Sequence, residues 1–165
     1  MSEPDHLRAV EVVPFMGTYE AYGRTAYVIG LRLLLENGDT FTIYSVPYDV
    51  AEAIKIHNNG EPPPSRQSLF SLVLFHEEFK STITRSLRKV VIDEFDSNSN
   101  LYTATVHFED EGVRLNIKMI PSHAIYLALI AQKPIYISRD LVEMARKEEE
   151  ELEEEFGDEF EEGEY

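Results

Sequence analysis

No cysteine occurs anywhere in the 165 residues. Thiol nucleophiles, Cys-x-x-Cys redox pairs and cysteine zinc sites are thereby excluded, and nothing suggests a disulfide framework. No apolar run approaches the ~18 residues that a spanning helix needs. The first residues, Met1-Ser2-Glu3-Pro4-Asp5, lack the basic start and apolar stretch of a secretory signal, so a cytoplasmic protein without membrane attachment is expected. Also missing are a Gly-rich phosphate loop and a Gly-x-Ser-x-Gly nucleophile elbow, which leaves a small-molecule enzyme without a motif.

Positive charge is scarce as well, with 15 Lys and Arg against 31 Asp and Glu and a formal net charge of -16. Its distribution matters more than its size. Residues 148–165 hold twelve acidic residues and no basic one, so residues 1–147 carry 19 acids against 15 bases. The body is therefore only mildly acidic. It lacks the basic patch that binds phosphates through counterion release, which lowers the prospects of a nucleic-acid binder but leaves room for an enzyme that holds phosphates through a metal.

What is present is core material. The hydrophobic fraction is 43%, with nine Phe and nine Tyr, and a domain of roughly 150 residues buries about 68–70% of its unfolded surface. One domain follows. Residues 7–13 alternate loosely and stop at Pro14, as a short edge strand would. Residues 26–35 are apolar and rich in β-formers, and Glu36-Asn37-Gly38-Asp39 supplies hairpin chemistry before a strand at 40–45. Pro47 can open a helix that runs to about His57, because Val50, Ala53, Ile54 and His57 form one stripe and Asn58-Asn59-Gly60 stops it. Pro62 to Pro64 form a stiff connector. Ser65 or Ser68 can cap a second helix through Leu69, Leu72, Val73 and His76, apolar enough all round to be a core helix.

Residues 80–89 read as a basic, Ser/Thr-rich lead into the strand Val90-Val91-Ile92, followed by strands at 101–108 and 113–120 in meander order. Pro121-Ser122-His123 opens a buried helix over 124–132, closed by Lys133-Pro134. Ile135-Tyr136-Ile137 is a short strand, and Ser138 can cap a last helix that should fray from Glu148. The expected fold class is α+β: one domain over residues 1–147 with a mixed, largely antiparallel sheet and packed helices, then an acidic, disordered tail over 148–165.

Residues 90–143 resemble the C-terminal half of the bifunctional nuclease (BFN) domain family. The matching residues are Val90-Val91-Ile92, Tyr102-Thr103-Ala104, Pro121-Ser122-His123-Ala124-Ile125, Pro134-Ile135-Tyr136-Ile137 and Leu141-Val142-Glu143. Their order and spacing agree throughout. Phe41-Thr42-Ile43-Tyr44 and Pro47 extend the resemblance towards the N-terminus, over roughly residues 26–145. The resemblance implies a nuclease acting on DNA or RNA phosphodiesters with a divalent metal. Its departures fall on polar positions: the family's Arg-Pro-Ser-Asp stands here as Ile120-Pro121-Ser122-His123, its His-Asp pair as Arg66-Gln67, and its helix glutamate is matched by Asp49 or Glu52. A noncatalytic structural or interaction domain on the same fold is the alternative.

Metal-assisted phosphodiester cleavage needs carboxylates around Mg²⁺ or Mn²⁺, hard ions that prefer oxygen. Asp49 and Glu52, at i and i+3 near a helix start, are the candidate ligands and catalytic carboxylates, and equally suit a solvated helix edge. His123, in the first turn of its helix, is a candidate catalytic group that can accept a proton or position a phosphate; a polar residue tolerated at a helix end is the plainer reading. Ser122 suits a cap better than a nucleophile. His76-Glu77-Glu78 lacks the second histidine of a zincin, since Lys80 stands there. The segment 96–100 begins like a calcium loop but has Leu101 and His107 at the required glycine and glutamate positions, so it reads as a turn. Arg66, Lys80, Arg85, Arg88 and Lys89 are the candidate nucleic-acid contacts, as phosphate-binding points. The apolar stretch 69–75 and an exposed edge near Leu7 point to a homo-oligomer, and the tail can serve solubility or meet a basic partner.

Overall fold

The computed structural model describes residues 5–156 and 161–164. Two strands, β1 (His6–Ala21) and β2 (Arg24–Leu35), form a long hairpin whose tip is Tyr22-Gly23. Both tip residues have positive φ, 53° and 73°, the conformation that matches the right-handed twist of the flanking strands. A second hairpin joins β2 to β3 (Thr40–Ile43). There Gly38 takes φ 90° and the Asp39 N–H donates to Asn37 Oδ1, as the Asn-Gly signal predicts.

Helix α1 (Tyr48–Asn59) follows, then α2 (Leu69–Phe75), α3 (Glu77–Ser86), the meander β4 (Leu87–Asp96), β5 (Leu101–Asp110) and β6 (Val113–Met119), helix α4 (Pro121–Ala131), strand β7 (Ile135–Ser138), helix α5 (Arg139–Phe156) and β8 (Glu161–Glu164). The sheet runs β3-β2-β1-β7-β4-β5-β6, with β8 beside β1. All pairings are antiparallel except β4 with β7. That one parallel pair requires a crossover, and α4 is part of it.

The core fills one side of this sheet. Leu31, Leu33 and Leu35 of β2, Val90 and Ile92 of β4, and Ala104 and Val106 of β5 are buried at every second position and meet Val50, Ala51 and Ile54 of α1 and Ala124, Ile125 and Ala128 of α4. The alternation is the pleat of a strand with one face on the core. α4 is buried on nearly every side, as its Ala/Leu/Ile content predicts. The fold class is α+β with a mixed, mostly antiparallel sheet, as expected.

Two expectations change. The first strand is neither short nor at an edge: β1 has 16 residues, runs through Pro14 and lies between β2 and β7. Proline is tolerated because the residues of β1 that oppose Leu33 and Leu31, Val12 and Pro14, turn their backbone groups away from β2. The Val12 carbonyl points to α1 and accepts from Asn58 Nδ2 at 3.1 Å, so the missing N–H of Pro14 costs no ladder bond. α2 is not a core helix: Ser71 is its one buried residue and Leu69 is 73% exposed, since seven residues can turn only one side to α4.

Residues 77–86 form a helix, in a stretch whose conformation the reading of 80–89 as a basic, Ser/Thr-rich lead left open. The hydroxyls of Thr82, Thr84 and Ser86 donate to the carbonyls four residues back, those of Glu78, Lys80 and Thr82, so they do not compete with the helical backbone. Glu77 and Glu78 in the first turn and Arg85 in the last suit the helix dipole. At the C-terminus α5 extends to Phe156, in keeping with the good helix propensity of glutamate. Glu149 comes near Arg32 and Tyr44 of the body; partial burial, then Glu153, raise its carboxyl above the usual range while Arg32 acts the other way. Residues 157–160 and 165, part of the stretch expected to be disordered, lie outside the described residues.

Candidate active site and nucleic-acid interface

Helix α1 starts at Pro47, extended at φ -60° and ψ 145°, with no side-chain cap. Asp49 stands exposed in the first turn, and its Oδ1 accepts the Val50 N–H at 3.0 Å. Glu52, half-buried, follows one turn later. Among the described residues no three of His, Asp and Glu gather as a metal cluster. Hard divalent ions keep several waters and are held by one or two carboxylates together with substrate phosphates. Asp49 and Glu52 are a set of that minimal kind, and neither is a built all-protein cage.

His123 is the third residue of α4, half-buried, with its backbone N–H on the Ile120 carbonyl at 3.1 Å. Its ring meets Phe70 of α2 edge to face, 5.0 Å between centroids. Phe70 packs in the same way on Tyr126, at 5.6 Å. The Tyr126 hydroxyl donates to the Phe70 carbonyl at 2.5 Å. Burial pushes the pKa of that hydroxyl up, so it stays a donor. Ser122 is not the cap: Ile120 occupies the cap position and Ser122 is buried inside the first turn, 2% exposed.

A further group lies on the stripe that the spacing of Val50, Ala53, Ile54 and His57 predicts for α1. His57, in the last turn of α1, is half-buried, and its imidazole pKa is lowered by burial first and by the Lys80 ammonium second. Lys80 lies on α3, so the histidine at the end of one helix and a cation from another share a neighbourhood. The stripe of α1 marked His57 in the sequence, but its spacing could not show the approach of Lys80 from α3.

The basic candidates lie on α3, on β4 and in the bend after the prolines. Arg85 Nε reaches Asp110 Oδ2 at 3.3 Å, and Arg88 Nη2 donates to the Glu109 carbonyl at 3.0 Å. Arg114 joins them at Glu109, 3.4 Å away. Three arginines thus meet the last residues of β5. Lys89 sits on β4 opposite His107, Lys80 beside His57, and Arg66 is exposed in the bend after the prolines. A groove of about 560 Å³ lies between residues 10–14 of β1, Lys55, Asn58 and Asn59 of α1, and Leu129 of α4; none of the eight candidate site residues lines it.

His76 pairs with Gln67 at 3.2 Å rather than with a second histidine. Residues 97–100 form the turn expected there. The Asp96 carboxylate is filled by its own turn, from the Asn98 N–H at 2.9 Å and the Ser99 hydroxyl at 3.0 Å. Those bonds, the backbone one first, hold its pKa below the usual carboxylate range.

A mixed sheet with one parallel pair and two helices buried on its core face defines an α+β domain. The family model described as "Bifunctional nuclease domain" matches residues 33–150, from the end of β2 into α5. The chain belongs to the BFN domain family. A search of curated proteins finds no match. Among the described residues no helix is long and apolar enough to cross a membrane.

Proposed function

We propose that this BFN-family chain is a nuclease that hydrolyses phosphodiester bonds in DNA or RNA with Mg²⁺ or Mn²⁺. The observation that carries the reading is the family match across residues 33–150, which spans α1 and α4 and so includes Asp49, Glu52 and His123. Asp49 and Glu52 would hold the ion, which when bound polarises a phosphoryl oxygen and favours hydroxide. His123, with one side of its ring on Phe70, would take up or deliver a proton at its other side. The arginines at the end of β5, with Lys80, Lys89 and Arg66, would hold backbone phosphates without reading bases.

A second reading is a noncatalytic BFN domain, structural or interacting with a protein, with the acidic tail meeting a basic partner. It is favoured by the lack of a three-ligand cluster among the described residues and by the partners within the chain that Arg85 and Arg88 already hold. One experiment separates the two. The pure chain is incubated with single- and double-stranded DNA and RNA in Mg²⁺, Mn²⁺ or EDTA, alongside Asp49→Ala and His123→Ala. Metal-dependent cleavage that both substitutions abolish supports the nuclease. Absence of cleavage under every condition supports the noncatalytic domain, and cleavage that survives EDTA and both substitutions is contamination.

A further inference from the structure

We infer that the outer edge of β2 is where a second copy of this chain docks, pairing β2 with β2 antiparallel about a two-fold axis. The hairpin β1–β2 is longer than its neighbours. β7 pairs only residues 6–8 of β1, and β3 pairs only residues 31–34 of β2. Residues 15–30 therefore project as an arm, with β8 along the β1 side and no described strand along the β2 side beyond residue 31. A two-stranded ribbon is marginal in water.

The direction of the backbone groups follows from one bond. Ile29 gives its carbonyl to the Val46 N–H at 2.8 Å, outside the β1–β2 ladder. Residues of the same parity in the pleat, Thr25 and Tyr27, therefore turn their N–H and C=O groups to the same outer edge.

Other edges of this sheet are blunted. On β1, Pro14 has no donor and Asn58 occupies the Val12 carbonyl. On β6, Arg114 and Lys118 are exposed and paired to Glu109 and Glu94. β3 has only four residues. Proline, charge and shortness are the usual devices against edge pairing. Residues 25–28, Thr-Ala-Tyr-Val, which lie beyond the Val46 bond to Ile29, contain none of them.

The arm also presents what an interface uses. Tyr27 is 67% exposed, Tyr19 44% and Met16 39%, and Tyr22 at the tip is fully exposed; aromatic residues and methionine are enriched in interfaces. Charge selects the occupant. A chain of net charge -16 repels its own copies, and β8, Glu-Glu-Gly-Glu, lies along the β1 side of the arm. The β2 side holds no acid from Arg24 to Leu31, so this edge is where two such chains can meet away from those glutamates. A two-fold axis through Ala26 sets Thr25 of one protomer against Tyr27 of its partner and repeats the contact in reverse, as closed symmetry requires. The edge expected near Leu7 is not open, since Leu7 is buried and β1 lies between β2 and β7.

The test uses the full chain, which has no native cysteine. Light scattering across a dilution series should give twice the 19.0 kDa chain mass, and Tyr27→Lys, which sets like charges across the axis, should give a monomer with an unchanged circular dichroism spectrum. Ala26→Cys should form a disulfide-linked dimer on mild oxidation, because residues facing each other in a non-hydrogen-bonded pair lie about 4.5 Å apart. Val10→Cys, on the other side of the hairpin, should not. A wild type that stays monomeric overturns the inference. So does a dimer that Ala26→Cys fails to link, or one that a folded Tyr27→Lys leaves intact; if Tyr27→Lys unfolds, the cysteine pair decides alone.

Discussion

The Tyr126 hydroxyl donates to the Phe70 carbonyl across 56 positions of sequence, and this bond ties the half-exposed helix α2 to the buried helix α4. The same two rings stack edge to face, and Phe70 carries the ring of His123 on its other contact. Tyr126 thus sets where α2 lies, and through Phe70 where the imidazole lies.

Tyr126→Phe removes the donor and keeps the ring. The expected loss is about 1 kcal/mol, the usual net worth of one hydrogen bond and more if the carbonyl finds no water. Urea unfolding should show a lower midpoint at an unchanged slope. A midpoint equal to that of the wild type would mean that packing alone seats α2.

Gly30 has no room for a side chain. A Cβ there would stand 2.6 Å from Phe15 Cζ and 2.7 Å from the Ile43 carbonyl oxygen. The aromatic ring can shift but the β3 backbone cannot shift cheaply, so Gly30→Ala should cost roughly 1–3 kcal/mol, as overpacking does. Thermal unfolding measures it. Gly38→Ala meets open space but is strained by its φ of 90°, so its loss should stem from the turn and not from the core.

His57 makes stability depend on pH. Its folded pKa lies below the ordinary value of 6.5, through burial and then Lys80, so the unfolded chain takes up the proton first as the solution is acidified. Stability is full above that value and declines as pH falls through 6.5, until the folded form also protonates. His57→Gln should flatten this part of the profile; Lys80→Ala should flatten it less, since burial is the larger cause. Denaturant titrations between neutral and mildly acidic pH would show either outcome.

Asp49 complements the dipole of α1 from its first turn. Asp49→Asn should therefore lower the melting temperature slightly, with a cost of about 0.3–1 kcal/mol that shrinks in high salt. The same substitution should abolish metal-dependent cleavage. A variant that loses cleavage while the wild type and variant melt alike in Mg²⁺ and in EDTA would place the effect at the reacting phosphate rather than in a metal-stabilised fold.

Much of this architecture is legible along the chain because its signals are local. Glu36-Asn37-Gly38-Asp39 marks the second hairpin, the polar turns at 96–100 and 109–112 separate the meander strands, and the small aliphatic residues after Pro121 mark α4; each lies within a few residues of the structure it predicts. α3 was harder to read, because Ser and Thr favour a helix or a loop according to whether their hydroxyls bond back to carbonyls, and residue type does not tell which. The length of β1 was hidden by Pro14, whose tolerance depends on which neighbour its nitrogen faces.

The candidate site divides in the same way. The carboxylates Asp49 and Glu52 are one helical turn apart on any reading, and His123 opens α4 on any reading. That Phe70 would hold the imidazole, that Lys80 would approach His57, and that Arg85, Arg88 and Arg114 would meet at the end of β5 involve helices and strands brought together from distant parts of the chain.

The amino-acid order by itself determined which segments turn, which strands alternate and which helix is apolar enough to bury, because backbone preference and hydrophobic period act within a dozen residues. Only the tertiary structure decided that β1 lies between β2 and β7 and that the outer edge of β2 is left open. Strand neighbours are chosen by burying side chains against partners more than a hundred positions away, and no local pattern records that choice.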